Sequence, residues 1–264
     1  VLKISEVAIT TGRVGYGVNS YTRKGQDQFA GIANYGVNHF GMQRFDMNIS
    51  GKLAKDLNYS ASVYSMFDPG STKLPYSELQ DRTAIYTGTL TKHFNNRKGE
   101  LSLTYRKADS YSLAFLSSYT PFIYNGDGSI SELPGMPLGI TNISPVDGTV
   151  SYKDMLTGEM KSTTYRDASK TKVNQGMATF NYNYNSGLKL KVNAMYSNSD
   201  AGLTLNLPTA IITAANVQSS PNLYTYPGTA NPYTGAVLNR LALLDRAEIN
   251  DAFMVAELMK CLAM

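Results

Sequence analysis

Hydrophobic and polar residues alternate with a period of two over several long stretches, the spacing that sends successive side chains to opposite faces of a β-strand. Within Asn174–Asn185, the residues Ala178, Phe180, Tyr182 and Tyr184 alternate with Thr179, Asn181, Asn183 and Asn185. Ser186-Gly187 turns the chain, and Leu188, Leu190, Val192, Ala194 and Tyr196 then alternate with Lys189, Lys191, Asn193 and Met195. This predicts an antiparallel hairpin. The same rule sets Phe45, Met47 and Ile49 against Arg44, Asp46, Asn48 and Ser50, followed by Tyr59, Ala61, Val63 and Phe67 against Ser60, Ser62 and Tyr64. A third pair sets Ala84, Tyr86 and Leu90 against Ile85, Thr87 and Thr89, then Leu101, Leu103 and Tyr105 against Ser102, Thr104 and Arg106. Phe29–Val37 gives a weaker strand. The expected fold is all-β, an antiparallel meander.

The connections narrow this further. Lys52–Asn58, His93–Gly99 and Ser186-Gly187 are short, whereas Asp68–Arg82, Asp109–Thr171 and Ala201 onward are long, and the two kinds alternate after Phe45. Strands of about ten residues with one rim of tight turns and one of extended loops fit a transmembrane β-barrel, with the short turns periplasmic and the long loops extracellular. Tyr59, Phe67, Tyr105, Tyr184 and Tyr196 end the apolar faces, where an interfacial aromatic girdle would lie. Arg44, Asp46, Asn48, Thr87, Thr104, Arg106, Asn181 and Asn193 would then face a wet lumen. A soluble sandwich would use the same alternation, and is the alternative if the loop parity is accidental. Ala201–Asn239 has no charged residue and contains Pro208, Pro221, Pro227 and Pro232, so it reads as a loop. Arg240–Met264 is rich in Leu, Ala, Glu and Met, which favours a helix, while barrel parity asks for a returning strand over about 251–259; both stay open.

Composition removes other classes. With 42% hydrophobic and 17% charged residues the chain is too apolar for intrinsic disorder, and the net charge of +4 is scattered without the basic runs of a nucleic-acid binder. One Cys and two His, His39 and His93, exclude a disulfide framework and the usual zinc sites, and no nucleophile stands at motif spacing from a base. Neither an enzyme nor a cofactor is expected. Asn125-Gly126-Asp127-Gly128-Ser129 offers oxygen ligands at alternate positions, but Ile130 and Met136 stand where a calcium loop needs Gly and Glu, so it reads as a polar turn and no metal site. The candidates for ligand contact are loop aromatics: Tyr111, Phe115, Tyr119, Phe122 and Tyr124 in the long connection, Tyr224 and Tyr226 in the uncharged one. Such rings give large contact area at low entropy cost and stack on sugars or planar chelates; they equally serve as small cores for the loops themselves.

The run Tyr16-Gly17-Val18-Asn19-Ser20-Tyr21-Thr22-Arg23-Lys24-Gly25 resembles the end of the plug domain in TonB-dependent outer-membrane receptors. Phe45–Gly51 with Leu53, Leu57 and Tyr59 is similar to that family's first full barrel hairpin, and the likeness continues through Asp81-Arg82, Gly88–Lys92, Leu101–Asp109, Pro134–Pro137 and Asp147–Thr149. The resemblance implies that residues 1–25 end a plug and 26–264 form an incomplete N-terminal part of a 22-stranded barrel. It implies a bacterial outer-membrane location amid outer-membrane lipid, and a small-molecule or oligosaccharide ligand of the siderophore, vitamin or glycan class. It also implies import driven by TonB through parts missing from this chain. The chain starts at Val1 without a signal peptide or TonB box, and is expected to be an internal or processed piece. A passive outer-membrane barrel, or a surface β-protein for binding or adhesion without energised transport, is the alternative.

Overall fold

The computed structural model describes residues 24–71, 77–113, 122–138, 149–154, 156–164, 169–214 and 224–260, with backbone alone at 150, 205–211 and 238–245. Among the described residues there are twelve strands: β1 (Ala30–Val37), β2 (Gln43–Ala54), β3 (Leu57–Asp68), β4 (Asp81–Phe94), β5 (Gly99–Ser112), β6 (Phe122–Tyr124), β7 (Ile130–Glu132), β8 (Thr149–Lys153), β9 (Met160–Thr164), β10 (Ser169–Asn183), β11 (Leu188–Thr213) and β12 (Ala236–Lys260). Eight of them pair in the order β1-β2-β3-β4-β5-β10-β11-β12, antiparallel throughout, while β6-β7 and β8-β9 are two small ribbons inside the long connection. The meander follows from chain order, since each tight turn returns the next strand beside its predecessor.

Turn chemistry fixes the short-turn end. Lys55-Asp56 joins β2 to β3 with Asp56 at φ 56°, and Gly187, at φ 76°, closes the β10–β11 turn by donating its N–H to the Tyr184 carbonyl at 3.1 Å. Between β4 and β5, Asn95, Asn96 and Arg97 are all left-handed, with φ of 52°, 54° and 66°. Asn tolerates that region; Arg does not readily do so, and the strain at Arg97 is held by a contact described below.

Register places Ala178 opposite Ala194, Phe180 opposite Val192 and Tyr182 opposite Leu190, so these six residues share one face. By the same parity Arg44, Asp46, Asn48, Thr87, Thr104, Arg106, Asn181 and Asn193 all lie on the other face. The partition of burial is inverted from that of a water-soluble protein. Among the described residues the buried hydrophobic side chains are Leu113 and Ala214, whereas ten polar ones are buried, including Ser50, Ser60, Thr89, Thr91, Ser102 and Thr104. These hydroxyls pair across strands on the polar face: Thr89 with Thr104 at 3.0 Å, Thr91 with Ser102 at 3.1 Å, and Asn48 Nδ2 donating to Ser60 Oγ at 3.2 Å. The apolar face is open, with Leu103 at 52% and Tyr196 at 57% exposure.

One expectation changes and one open alternative is resolved. The uncharged stretch from Ala201 does not begin as a loop: β11 runs to Thr213, with Pro208 opposite Arg240 beside a register shift between Pro208 and Ala210. Arg240–Lys260 is strand rather than helix, because pairing along all of β11 outweighs the modest helix preference of Leu, Ala, Glu and Met.

The hydroxyl pair at Thr91, which is 1% exposed, makes a direct stability test. Thr91→Val strands the Ser102 hydroxyl and is expected to cost about 1–3 kcal/mol, with the Thr91→Val/Ser102→Ala double variant recovering part of the loss. The chain has no Trp, so urea unfolding followed by far-ultraviolet circular dichroism is the measurement.

Candidate functional site

The apolar face forms an inclined band. On β2, β3 and β4 it extends toward the long-loop end as far as Phe45, Phe67 and Ala84. On β5, β10, β11 and β12 it stops earlier, at Tyr105, Gly176, Tyr196 and Ala252, which share one ladder row with Gly88. Lys107, Asn174, Asn198 and Asn250 form the next row on these strands. At the short-turn end the band starts at Leu57 on β3 but at Leu188 on β11, two rows lower. Both borders therefore step by two to three rows, about 13–20 Å at ~3.3 Å per residue, over four inter-strand spacings of ~4.8 Å. The strands accordingly tilt by about 35–45° from the direction perpendicular to the band. Aromatic rings mark its margins: Phe94, Tyr182 and Tyr184 below, where Tyr182 and Tyr184 meet edge-to-face at 4.7 Å, and Tyr86, Tyr105 and Tyr196 above. The upper tyrosine hydroxyls turn outward to polar partners, Tyr105 to Asn174 Oδ1 at 3.0 Å and Tyr196 to Asn250 Oδ1 at 3.3 Å.

The polar face carries a docked segment. Lys24 ion-pairs with Glu100 on β5, and Glu100 also accepts from Asn181 Nδ2 at 3.2 Å with His93 Nδ1 at 4.0 Å. Asp27 ion-pairs with Arg97, the strained turn residue, and accepts from Asn58 Nδ2 at 3.3 Å. Hydrogen bonds from Arg97 first and Asn58 second hold the Asp27 carboxyl below its ordinary range. Asn58 is 2% exposed and its Oδ1 has no partner among the described residues. Gly25 lies flat on β3, where a Cβ would fall 2.4 Å from the Tyr59 carbonyl oxygen, so no other residue fits. Residues 24–28 thus cross back from the β1 edge over the polar face to β5. Arg44, Asp46, Asn48, Thr104, Arg106, Asn181 and Asn193 line the same face, with Arg44 bonded to Asp46 at 3.3 Å and set over the Tyr64 ring at 5.4 Å. Sequence reading had no access to Asn58, Arg97 and Glu100 as partners of this segment, since each pairing spans 31 or more residues.

The loop aromatics fall in three places. Tyr111 sits at the end of β5 with the Arg82 guanidinium 5.9 Å from its ring. Phe122 and Tyr124 stand exposed on one side of β6, next to the Asn125–Ser129 turn. There Asp127 accepts from the Ser129 N–H at 2.8 Å and hydroxyl at 2.6 Å, which uses the carboxylate to build the turn. Tyr224 and Tyr226 belong to the tip joining β11 to β12, where Tyr226 and Tyr233 meet edge-to-face at 5.4 Å and the Tyr233 N–H donates to the Tyr224 carbonyl at 2.8 Å. Phe115 and Tyr119 lie outside the described residues. From Tyr196 to Thr213 the β11–β12 ribbon runs about 55 Å past the band at ~3.3 Å per residue. No group of three or more His, Cys, Asp or Glu side chains gathers among the described residues. His39 packs on Phe40, ring centroids 3.8 Å apart, in the β1–β2 turn.

No family model matches the chain, and no curated protein matches its sequence. Among solved structures it is similar to a chain of the FpvAI-pyocin S2 complex, with a TM-score of 0.48 and 13% identity over 88% of this chain and 26% of that one. It is also similar to the pyoverdine outer membrane receptor FpvA from Pseudomonas aeruginosa PAO1 bound to pyoverdine, with a TM-score of 0.33 and 11% identity over 89% of this chain and 39% of that one. The chain therefore spans well under half the length of either protein, and at this distance neither likeness speaks to ligand or activity.

The β8–β9 ribbon supplies a pH test. Asp154 pairs with Lys161 and accepts the Leu156 and Thr157 N–H groups at 2.8 and 3.2 Å, which lowers its carboxyl from 3.8 to about 2. A depressed carboxylate stabilises the ribbon above pH 3.8, and that contribution is lost as pH falls from 3.8 through about 2. Carboxyl titration by NMR is expected to place the Asp154 midpoint near 2, and Lys161→Gln to move it upward.

Proposed function

We propose that this chain is part of the transmembrane β-barrel of a bacterial outer-membrane receptor, which binds a scarce ligand of the siderophore, vitamin or glycan class and imports it with TonB-derived energy. The observation that carries the reading is the exposed apolar band, whose strands tilt by about 35–45° from its perpendicular, the tilt of closed membrane barrels. Along β3 it runs from Leu57 to Phe67, about 33 Å at ~3.3 Å per residue, which after tilting is about 25 Å high, the height of a barrel's apolar belt. No helix among the described residues is long and apolar enough to cross a membrane, and strands need no such run.

On this reading the polar face, with Arg44, Asp46, Asn48, Thr104, Arg106, Asn181 and Asn193, lines the lumen. Residues 1–25 end a plug and 26–264 belong to the barrel, an assignment supported by the docking of Lys24, Gly25 and Asp27 on the polar side. The described sheet has two edges, β1 and β12, and hydrocarbon tolerates no open edge, so further strands close it. Capture falls to the long-loop end, where Tyr111, Phe115, Tyr119, Phe122, Tyr124, Tyr224 and Tyr226 are candidates for contact.

Sidedness is the first test. Val192→Arg, on the apolar face, is expected to cost roughly 2–4 kcal/mol, whereas Asn193→Arg, on the polar face, is expected to be far milder. Folding yields in detergent measure this, and equal yields would contradict the assignment. The second test removes residues 114–167, past the paired ends Ser112 and Ser169. The full-length barrel is expected to assemble and stay heat-modifiable on gels while uptake collapses; uptake of the native ligand at wild-type affinity would remove the loop from the site.

A further inference from the structure

On the apolar face, an open groove of about 340 Å³ lies between Tyr86 of β4 and Tyr105 of β5, walled also by Met47, Ile49, Ala61 and Val63. It exists because Gly88 has no side chain: a Cβ there would meet nothing within 4 Å, while the neighbours on the same face of the strand, Tyr86 and Leu90, are large. On β5 the groove ends at Tyr105, where the apolar band stops on that strand, whereas on β2, β3 and β4 apolar residues continue outward to Phe45, Phe67 and Ala84. Lys107 stands at the β5 end of the groove. It is exposed, it follows Tyr105 on the same face, and its cross-strand partners are the uncharged Tyr86 and Asn174.

The row containing Lys107 runs through Ala33, Met47, Val63, Tyr86, Asn174, Asn198 and Asn250, so Lys107 is its sole charge. In the next row outward Asp109 stands opposite Lys172, with Asp200 and Glu248 beyond, and the row after that carries Arg82, Lys170 and Arg246. The cation nearest the groove is therefore the one whose ladder neighbours carry no opposite charge.

We propose that this groove holds one acyl chain of an anionic, phosphate-bearing membrane lipid, with the phosphate against Lys107. The inference rests on the membrane reading above. An apolar trough opening onto hydrocarbon takes a hydrocarbon chain without desolvating any polar group, and an exposed ammonium whose ladder partners are uncharged favours a negative headgroup. Lys107 stands opposite Tyr86 and one row outward of Tyr105, so the cation adjoins the outer wall of the groove, the relation between the first methylenes and the phosphate of a diacyl lipid.

Native mass spectrometry of the full-length protein in a maltoside detergent tests this, with dioleoylphosphatidylglycerol titrated against dioleoylglycerol, which has the same chains and no phosphate. One phosphatidylglycerol adduct is expected at high occupancy. Gly88→Leu, which fills the groove, is expected to weaken it about tenfold. Lys107→Gln is expected to abolish the preference for the phosphate-bearing lipid. Gly176→Leu lies in the same row with equally open surroundings but outside the groove, and should leave the adduct unchanged. Wild-type occupancy in Gly88→Leu, or an intact preference in Lys107→Gln, would overturn the proposal. Failure of the wild-type protein to insert into phosphatidylcholine vesicles would instead defeat the membrane reading itself.

Discussion

Everything in this molecule depends on the antiparallel ladder keeping its register over long distances. A slip of one residue would exchange the two faces completely, sending Thr91, Ser102 and Asn193 outward and Leu90, Leu101 and Val192 inward. The register is held from both sides at once. Paired hydroxyls on the polar face need one another, because a buried hydroxyl without a partner loses its hydration for nothing, and the tight turns at Lys55-Asp56, Asn95–Arg97 and Gly187 leave few alternative pairings.

The distribution of burial carries the functional weight. Small hydroxyl residues crowd the polar face, where Ser and Thr occupy little space and satisfy each other, whereas the bulky rings stand on the opposite face with room around them. A hydrophobic core in the ordinary sense would demand the reverse. In the barrel we propose, the missing half of that core is lipid, and the aromatic margins mark the levels at which lipid gives way to water.

The polar face is also where the chain upstream of β1 is anchored. Lys24 and Asp27 reach Glu100 and Arg97, and Gly25 lies against the backbone of β3 with no space for a side chain. This arrangement uses the turn residue Arg97, held in a conformation costly for anything but glycine or asparagine, as an ion-pair partner for a segment about seventy residues earlier. A strained turn and a docked segment thus support one another at the short-turn end.

Much of this was legible from the residues alone. Period-two alternation determines which side chains share a face, because a strand has no other way to distribute them, and it located the strands around Phe45, Val63, Leu90, Leu103, Phe180 and Val192 and their connections. Where that signal weakens, composition misleads: Pro208 and the missing charges after Ala201 hid the far half of β11, and the helix-favouring residues after Arg240 left β12 undecided between helix and the returning strand that barrel parity asks for. Both became strand because a paired neighbour supplies a ladder that local preference cannot foresee. Sequence likewise proposed the lumen residues as a set but not the contacts of Asn58, Glu100 and Arg97. Those contacts depend on folding distant segments together, and so does the groove over Gly88, which exists only once Ala61 and Tyr105 stand on either side of it.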